Sequence, residues 1–322
     1  MAEIVGGSGY GLPIGISQSE GSTPMTIVTR EISAQGPFDL AASAEFLEGF
    51  TPAARPDAAD EAGVLRMAFP VEGSWTHAGA LIRQRSPGTV EVSVRAKDSE
   101  AAVHQVRRIL SLDVDGTSFA AVGRADPVVL AVQTRYPGLR PVLFYSPYEA
   151  ACWTIIGNRL RMTQAARIKQ RIAEQHGEMI DVAGRSLASF PAPDALGSLE
   201  QPLGLSAVKV ERLRGIARAA RDGVLDAESL RAMEAGHALE RLRQIPGIGP
   251  FSAELILVRG AGHPDVFPRD EQRLHQKMRD AYELPDASVS ELASIADRWR
   301  PYRSWVSLLL RTQHFLDKVP AA

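Results

Sequence analysis

The apolar positions change period along the chain. Over residues 25–32 they alternate, which predicts a half-buried strand, and over residues 38–47 they fall on one stripe, which predicts a helix. Residues 51–62, rich in Pro, Ala and Asp, read as a linker. Strand-like stretches follow at 64–71, 79–83 and 89–94, the last after the turn Ser86, Pro87, Gly88. A helix over 100–110 closes this set, whose short connections imply antiparallel pairing. Beyond Asp126 and Pro127 everything reads as helical. Ser146 and Pro147 open a helix, and the stripe Ala150, Ile155, Ile156 continues towards Ala165, Ala166 and Ile168. Phe190, Pro191, Ala192 and Pro193 form a rigid break before a short helix at Asp194. Leu203, Gly204, Leu205 and Ser206 then cap a helix over 207–221.

The most informative stretch comes next. Leu239, Leu242 and Ile245 repeat at helical spacing, stop at Pro246-Gly247-Ile248-Gly249-Pro250, and give way to a second helical run through Leu255, Ile256 and Val258. Glycines without Cβ let backbone N–H groups approach a ligand, and a helix N-terminus adds a fixed positive end that suits phosphate. Downstream, Asp270 and Glu271 follow Pro268 at the start of a helix carrying Leu274 and Met278. Alone, such a turn is common, and carboxylates at a helix start usually cap it.

Companion stretches raise its weight: Ile155-Ile156-Gly157-Asn158, Phe190-Pro191, Leu203-Gly204, Asp265-Val266-Phe267 and residues 298–304, all in order. With the glycine turn, they make the chain from about residue 25 resemble the helix-hairpin-helix DNA glycosylase superfamily in its AlkA-type, 3-methyladenine DNA glycosylase II-like branch. The resemblance implies an α+β protein. A flexible tail (1–24) would precede an amino-terminal antiparallel α+β domain (25–115) and an all-helical glycosylase region of two lobes (116–322), with duplex DNA in the cleft between the lobes.

Cleaving an N-glycosidic bond places positive charge on the deoxyribose, so one carboxylate beside the sugar stabilises the transition state. In the family this is an Asp four positions beyond the Phe of the Phe-Pro stretch, and counting from Phe267 reaches Glu271, one methylene longer; Asp270 is the alternative. Relatives that also cut the strand carry a Lys where this chain has Phe251, which implies a monofunctional enzyme whose nucleophile is water. Gly247, Ile248 and Gly249 would hold DNA phosphate. Asn158, Arg159 and Leu160 match the loop that fills the vacated base stack, with either Arg159 or Leu160 as the wedge.

The positions matching the family's base pocket hold Phe251, Leu255 and Arg311, with Tyr302, Trp305, Gln313 and Glu254 nearby. An inward Arg311 would repel a cationic alkylated purine and suit a neutral, oxygen-rich or bulky base, such as a glycosylated hydroxymethylcytosine of phage DNA excised in defence. An Arg311 directed at phosphate would leave alkylation repair intact. The rival from another class is a non-catalytic helix-hairpin-helix DNA-binding protein.

Composition narrows the setting. With 322 residues, 45% of them hydrophobic, the chain can bury a substantial core. A single cysteine, Cys152, excludes a disulfide framework and an iron–sulfur cluster and points to the reducing cytoplasm. No apolar run is long enough to cross a bilayer. The formal net charge of −2 divides as 12 Lys and Arg against 17 Asp and Glu over residues 1–150, and 24 against 21 beyond. The second half is therefore the better partner for a polyanion, gripping it by local geometry more than by bulk field. His263, His275 and His314 lack metal-ligand spacing, so no metal and no cofactor is expected, beyond the monovalent cation that hairpin carbonyls hold in such families. The absence of heptads suggests a monomer.

Overall fold

The computed structural model describes residues 26–53, 55, 57–200 and 204–316. The expected tail over 1–24, Met25 and Leu203 lie outside them. Strands β1 (Thr26–Ser33), β2 (Val64–Pro70), β3 (His77–Ser86) and β4 (Thr89–Ala96) form one antiparallel sheet in the order β1-β4-β3-β2. Period-two alternation decides its faces: Val90, Val92, Val94 and Ala96 of β4 are all fully buried. They belong to a core shared with helices α1 (Leu40–Gly49) and α2 (Ser99–Ile109). Each helix starts where an aspartate caps it, Asp39 accepting from the Ala41 N–H (2.8 Å) and Asp98 from that of Ala101 (3.2 Å).

The remainder is helical with one exception. Helices α3 (Phe119–Ala125) and α4 (Pro127–Arg135) lead to the buried α5 (Pro147–Gly157), then α6 (Met162–His176). The stripe expected to continue through residues 147–168 is interrupted at 158–161, where Arg159 adopts φ +57°. After α6 the chain forms a β-hairpin, β5 (Glu178–Val182) with β6 (Arg185–Ser189), inside a region that the periodicity marks as wholly helical. This β-hairpin covers the outer face of the sheet, where Val182, Ile180 and Leu187 meet Val64 and Leu81. Gly79 permits the approach, since a Cβ there would lie 2.8 Å from the Ile180 side chain.

Eight more helices complete the described residues: α7 (Pro193–Gly197), α8 (Ala207–Arg221), α9 (Ala227–Ala232), α10 (Ala235–Arg243), α11 (Pro250–Leu255), α12 (Gln272–Ala281), α13 (Val289–Ala296) and α14 (Arg303–Leu316). α11 runs on into a π-helical turn, Ile256–Ala261. No described helix is long and apolar enough to cross a membrane. One hydrophobic cluster runs through both the sheet domain and the helices. Arg108 of α2 ties them by polar bonds as well, donating to the Gly260 carbonyl (2.5 Å) and pairing with Glu72 at a buried site.

Candidate active site

The glycine turn is built as a backbone platform. Ile248 donates its N–H to the Ile245 carbonyl (3.0 Å) and buries its side chain, 5% exposed, so this residue anchors the turn while the flanking glycines present main chain outward. Gly247 takes φ +94°, and a Cβ there would sit 2.7 Å from Arg212 Cδ of α8 and 3.1 Å from Ile155 of α5. Gly249 is the N-cap of α11, which directs that helix's first N–H groups towards the turn. One turn earlier on α8, Lys209 donates to the carbonyls of Ile156 (2.8 Å) and Asn158 (2.7 Å). The turn and the 158–161 loop are therefore neighbours held by one helix. In that loop Asn158 and Arg159 are exposed, whereas Leu160 packs against the core.

Beside this platform opens a cavity of about 640 Å³. The segment carrying the candidate carboxylates is pinned along its length. Arg303 holds Asp265 (2.8 Å), and the Val266 N–H donates to the Ser304 hydroxyl (2.9 Å). The Pro268 carbonyl lies 2.9 Å from His275 Nε2. Glu254, 6% exposed, accepts the N–H groups of Arg269 (2.7 Å) and Asp270 (2.9 Å). Burial raises the Glu254 carboxyl above its ordinary range, with these two N–H bonds opposing the rise.

Glu271 comes next, as the N-cap of α12, accepting from the Arg273 N–H (3.2 Å). It caps a helix and also lines the cavity, where Arg311 Nε of α14 lies 3.7 Å from its Oε1. Burial lowers the Arg311 guanidinium from its usual value, and Glu271 counters that. Asp270 lines the cavity as well, at its exposed rim.

Of the expected base-pocket residues, Phe251, Leu255 and Arg311 line the cavity. Tyr302 and Trp305 do not. Both are buried beside Phe119, Tyr302 donating its hydroxyl to the Asp115 carbonyl (2.7 Å) and Trp305 lying under Arg140. Their core placement follows from α14, whose cavity face carries Ser304, Ser307, Leu308, Arg311 and Thr312. Side chains of Gln313 and His314 lie outside the described ones.

Several cavity residues escaped the sequence reading. Phe46 of α1 and Phe50, the residue that ends that helix, form a stacked pair (centroids 5.4 Å apart) on the wall, so the amino-terminal part of the chain helps build the site. Arg259 lies on this shelf, its guanidinium carbon 4.4 Å from the Phe50 centroid and 5.3 Å from that of Phe46. Burial, helped by Arg311 and opposed by Glu271, pulls the Arg259 guanidinium down to about 9. A lone arginine in the apolar run 255–261 was the one available signal.

No family model matches the chain. It is 28% identical over 219 residues to DNA-3-methyladenine glycosylase of Bacillus subtilis, covering 66% of this chain and 71% of that one. It is 30% identical over 232 residues to the probable bifunctional transcriptional activator/DNA repair enzyme AlkA of Mycobacterium tuberculosis, 70% of this chain but 45% of that one. In fold it is similar to a 3-methyladenine DNA-glycosylase from Archaeoglobus fulgidus, with TM-score 0.72 and 20% identity, over 90% of this chain and 100% of that chain. These likenesses support placing the chain in the AlkA-type branch of the helix-hairpin-helix DNA glycosylase superfamily.

Proposed function

We propose that the protein is a monofunctional DNA glycosylase, which binds duplex DNA as a monomer, turns a modified base out of the stack and hydrolyses its N-glycosidic bond with water. The observation that carries this reading is Glu271 on the wall of a cavity roomy enough for an everted base, directly beside the glycine platform. A carboxylate there faces the developing sugar cation and orients water. Phe251, at the position where lyase relatives carry their amine, offers no group for a Schiff base. The exposure of Arg159, at a positive φ in its loop, favours that residue over the packed Leu160 as the filler of the vacated stack. The names of the relatives point to alkylated purines as substrate. Arg311 on the cavity wall favours a second reading, a neutral acceptor-rich base; a glycosylated hydroxymethylcytosine, removed as a defence, is one member of that class.

The test is incubation with duplexes carrying alkylated, deaminated, oxidised and glycosylated bases, followed by hot alkali. A monofunctional enzyme gives strand cleavage only after alkali. Glu271→Gln is expected to lose about a thousandfold in rate or more while still binding DNA, and Asp270→Asn to retain activity. A non-catalytic DNA-binding protein would bind these duplexes and leave all of them alkali-stable, wild type included.

A further inference from the structure

Two residues that line the cavity each carry a side-chain polar atom that is sealed from solvent and lacks a hydrogen-bond partner among the described residues: Arg259 Nε and Ser307 Oγ. Buried polar atoms are nearly always paired, and an unpaired one costs about 1–3 kcal/mol; three others, Arg66 Nε, Arg107 Nε and Asp113 Oδ1, belong to residues away from the cavity, so it is the convergence of two such residues with Arg311 on one cavity that points to a ligand. Their supports are fixed. Arg259 Nη2 donates to the Val142 carbonyl (2.8 Å), and its guanidinium rests on Phe50. The π-helical turn that presents it is a rare conformation frequently found at functional sites. Ser307 and Arg311 stand one turn apart on α14, both facing the cavity.

Resting on the glycosylase reading above, we infer that Arg259, Ser307 and Arg311 form a hydrogen-bond donor subsite that accepts an uncharged base with carbonyl oxygen on its edge and excludes N-alkylated purine cations. Arginine offers donors only, carries its charge at neutral pH, and cannot accept from a base. A cationic base would meet two guanidiniums. Glu271 is already paired with one of them, and Glu254 is committed to two backbone N–H groups. Asp270 and Arg273 both belong to the exposed rim and leave the balance inside unchanged. An exocyclic carbonyl, by contrast, would accept from Arg311 at the cavity surface and, once the Ser307 side chain rotates towards it, from that hydroxyl.

The experiment compares single-turnover release of hypoxanthine, 8-oxoguanine and uracil, all neutral, with release of the cationic 7-methylguanine from matched duplexes. The wild type is expected to release one of the neutral bases about tenfold faster than 7-methylguanine. Ser307→Ala should slow that neutral base about fivefold to tenfold and leave 7-methylguanine unchanged. Its melting temperature should hold or rise, because the hydroxyl it removes bonds nothing in the free protein, and this variant keeps the test alive should Arg259→Met fail to fold. Arg259→Met should shift the ratio towards 7-methylguanine about tenfold. Faster release of 7-methylguanine, insensitive to both variants, overturns the inference and leaves the glycosylase reading standing. Release of no base from any duplex overturns that reading together with the inference.

Discussion

Glu254 lies one loop ahead of Glu271 in sequence, yet its two oxygens hold the N–H groups of the two residues that immediately precede Glu271. The carboxylate proposed to face the sugar thus owes its position to a second carboxylate that never touches it. Glu254→Gln would set an amide NH2 against one of those N–H groups and leave a buried donor unmatched, at about 1–3 kcal/mol. The expected result is an excision rate about tenfold lower with DNA affinity retained, read by single-turnover kinetics beside a binding titration. At this scale the sequence was partly legible. The family register counted from Phe267 pointed to Glu271, with Asp270 as the alternative, and both line the cavity. Arg259 stayed hidden, since a π-turn changes which residues of an apolar run face a cavity.

At the scale of elements, the glycine turn carries the sharpest expectation. Gly247→Ala forces a Cβ against Arg212 at a positive φ, so it should lower stability by about 1–2 kcal/mol and weaken binding to every duplex alike, as measured by thermal melts and salt-dependent titration. The link after the π-turn contributes a pH dependence. His263 Nδ1 accepts the Asp265 N–H (3.2 Å), which requires a neutral ring. Burial lowers its proton affinity, with Arg231 and Arg303 adding to that and Asp265 and Glu234 opposing it. The unfolded chain therefore takes up the proton first as pH falls. Stability from the neutral ring is present above about pH 6.5 and is lost as pH drops from there towards the lowered folded value. Thermal melts between about pH 7 and about pH 5 should show this loss, and His263→Gln should flatten it, with a residual slope from His77, which burial shifts in the same direction. Long periodic helices such as 207–221 were readable outright, whereas β5 and β6 were not. Each has five residues, and Glu178, Met179, Asp181 and Ser186 are exposed, so too few apolar positions remain to reveal a period of two.

For the molecule as a whole, the join between sheet domain and helices is polar as well as apolar. The buried Arg108 reaches from α2 to the Gly260 carbonyl while pairing with the partly buried Glu72. Arg108→Met strands that carboxylate, and chemical denaturation should register a loss of about 3–5 kcal/mol. The α+β architecture was legible because strand and helix periods separate cleanly along the sequence. That the first domain enters the cavity was not, because Phe46 and Phe50 occupy an ordinary apolar stripe whose partner is decided only by packing. This shelf divides the labour of the chain. On the reading proposed above, the group that breaks the bond belongs to one stretch, while the surface that supports Arg259 belongs to another, more than two hundred residues away. Substitutions in α1 can then retune what the protein consumes while its bond-breaking chemistry stays intact, so a lineage can acquire a new diet by drift in a helix that reads, residue by residue, as mere scaffolding.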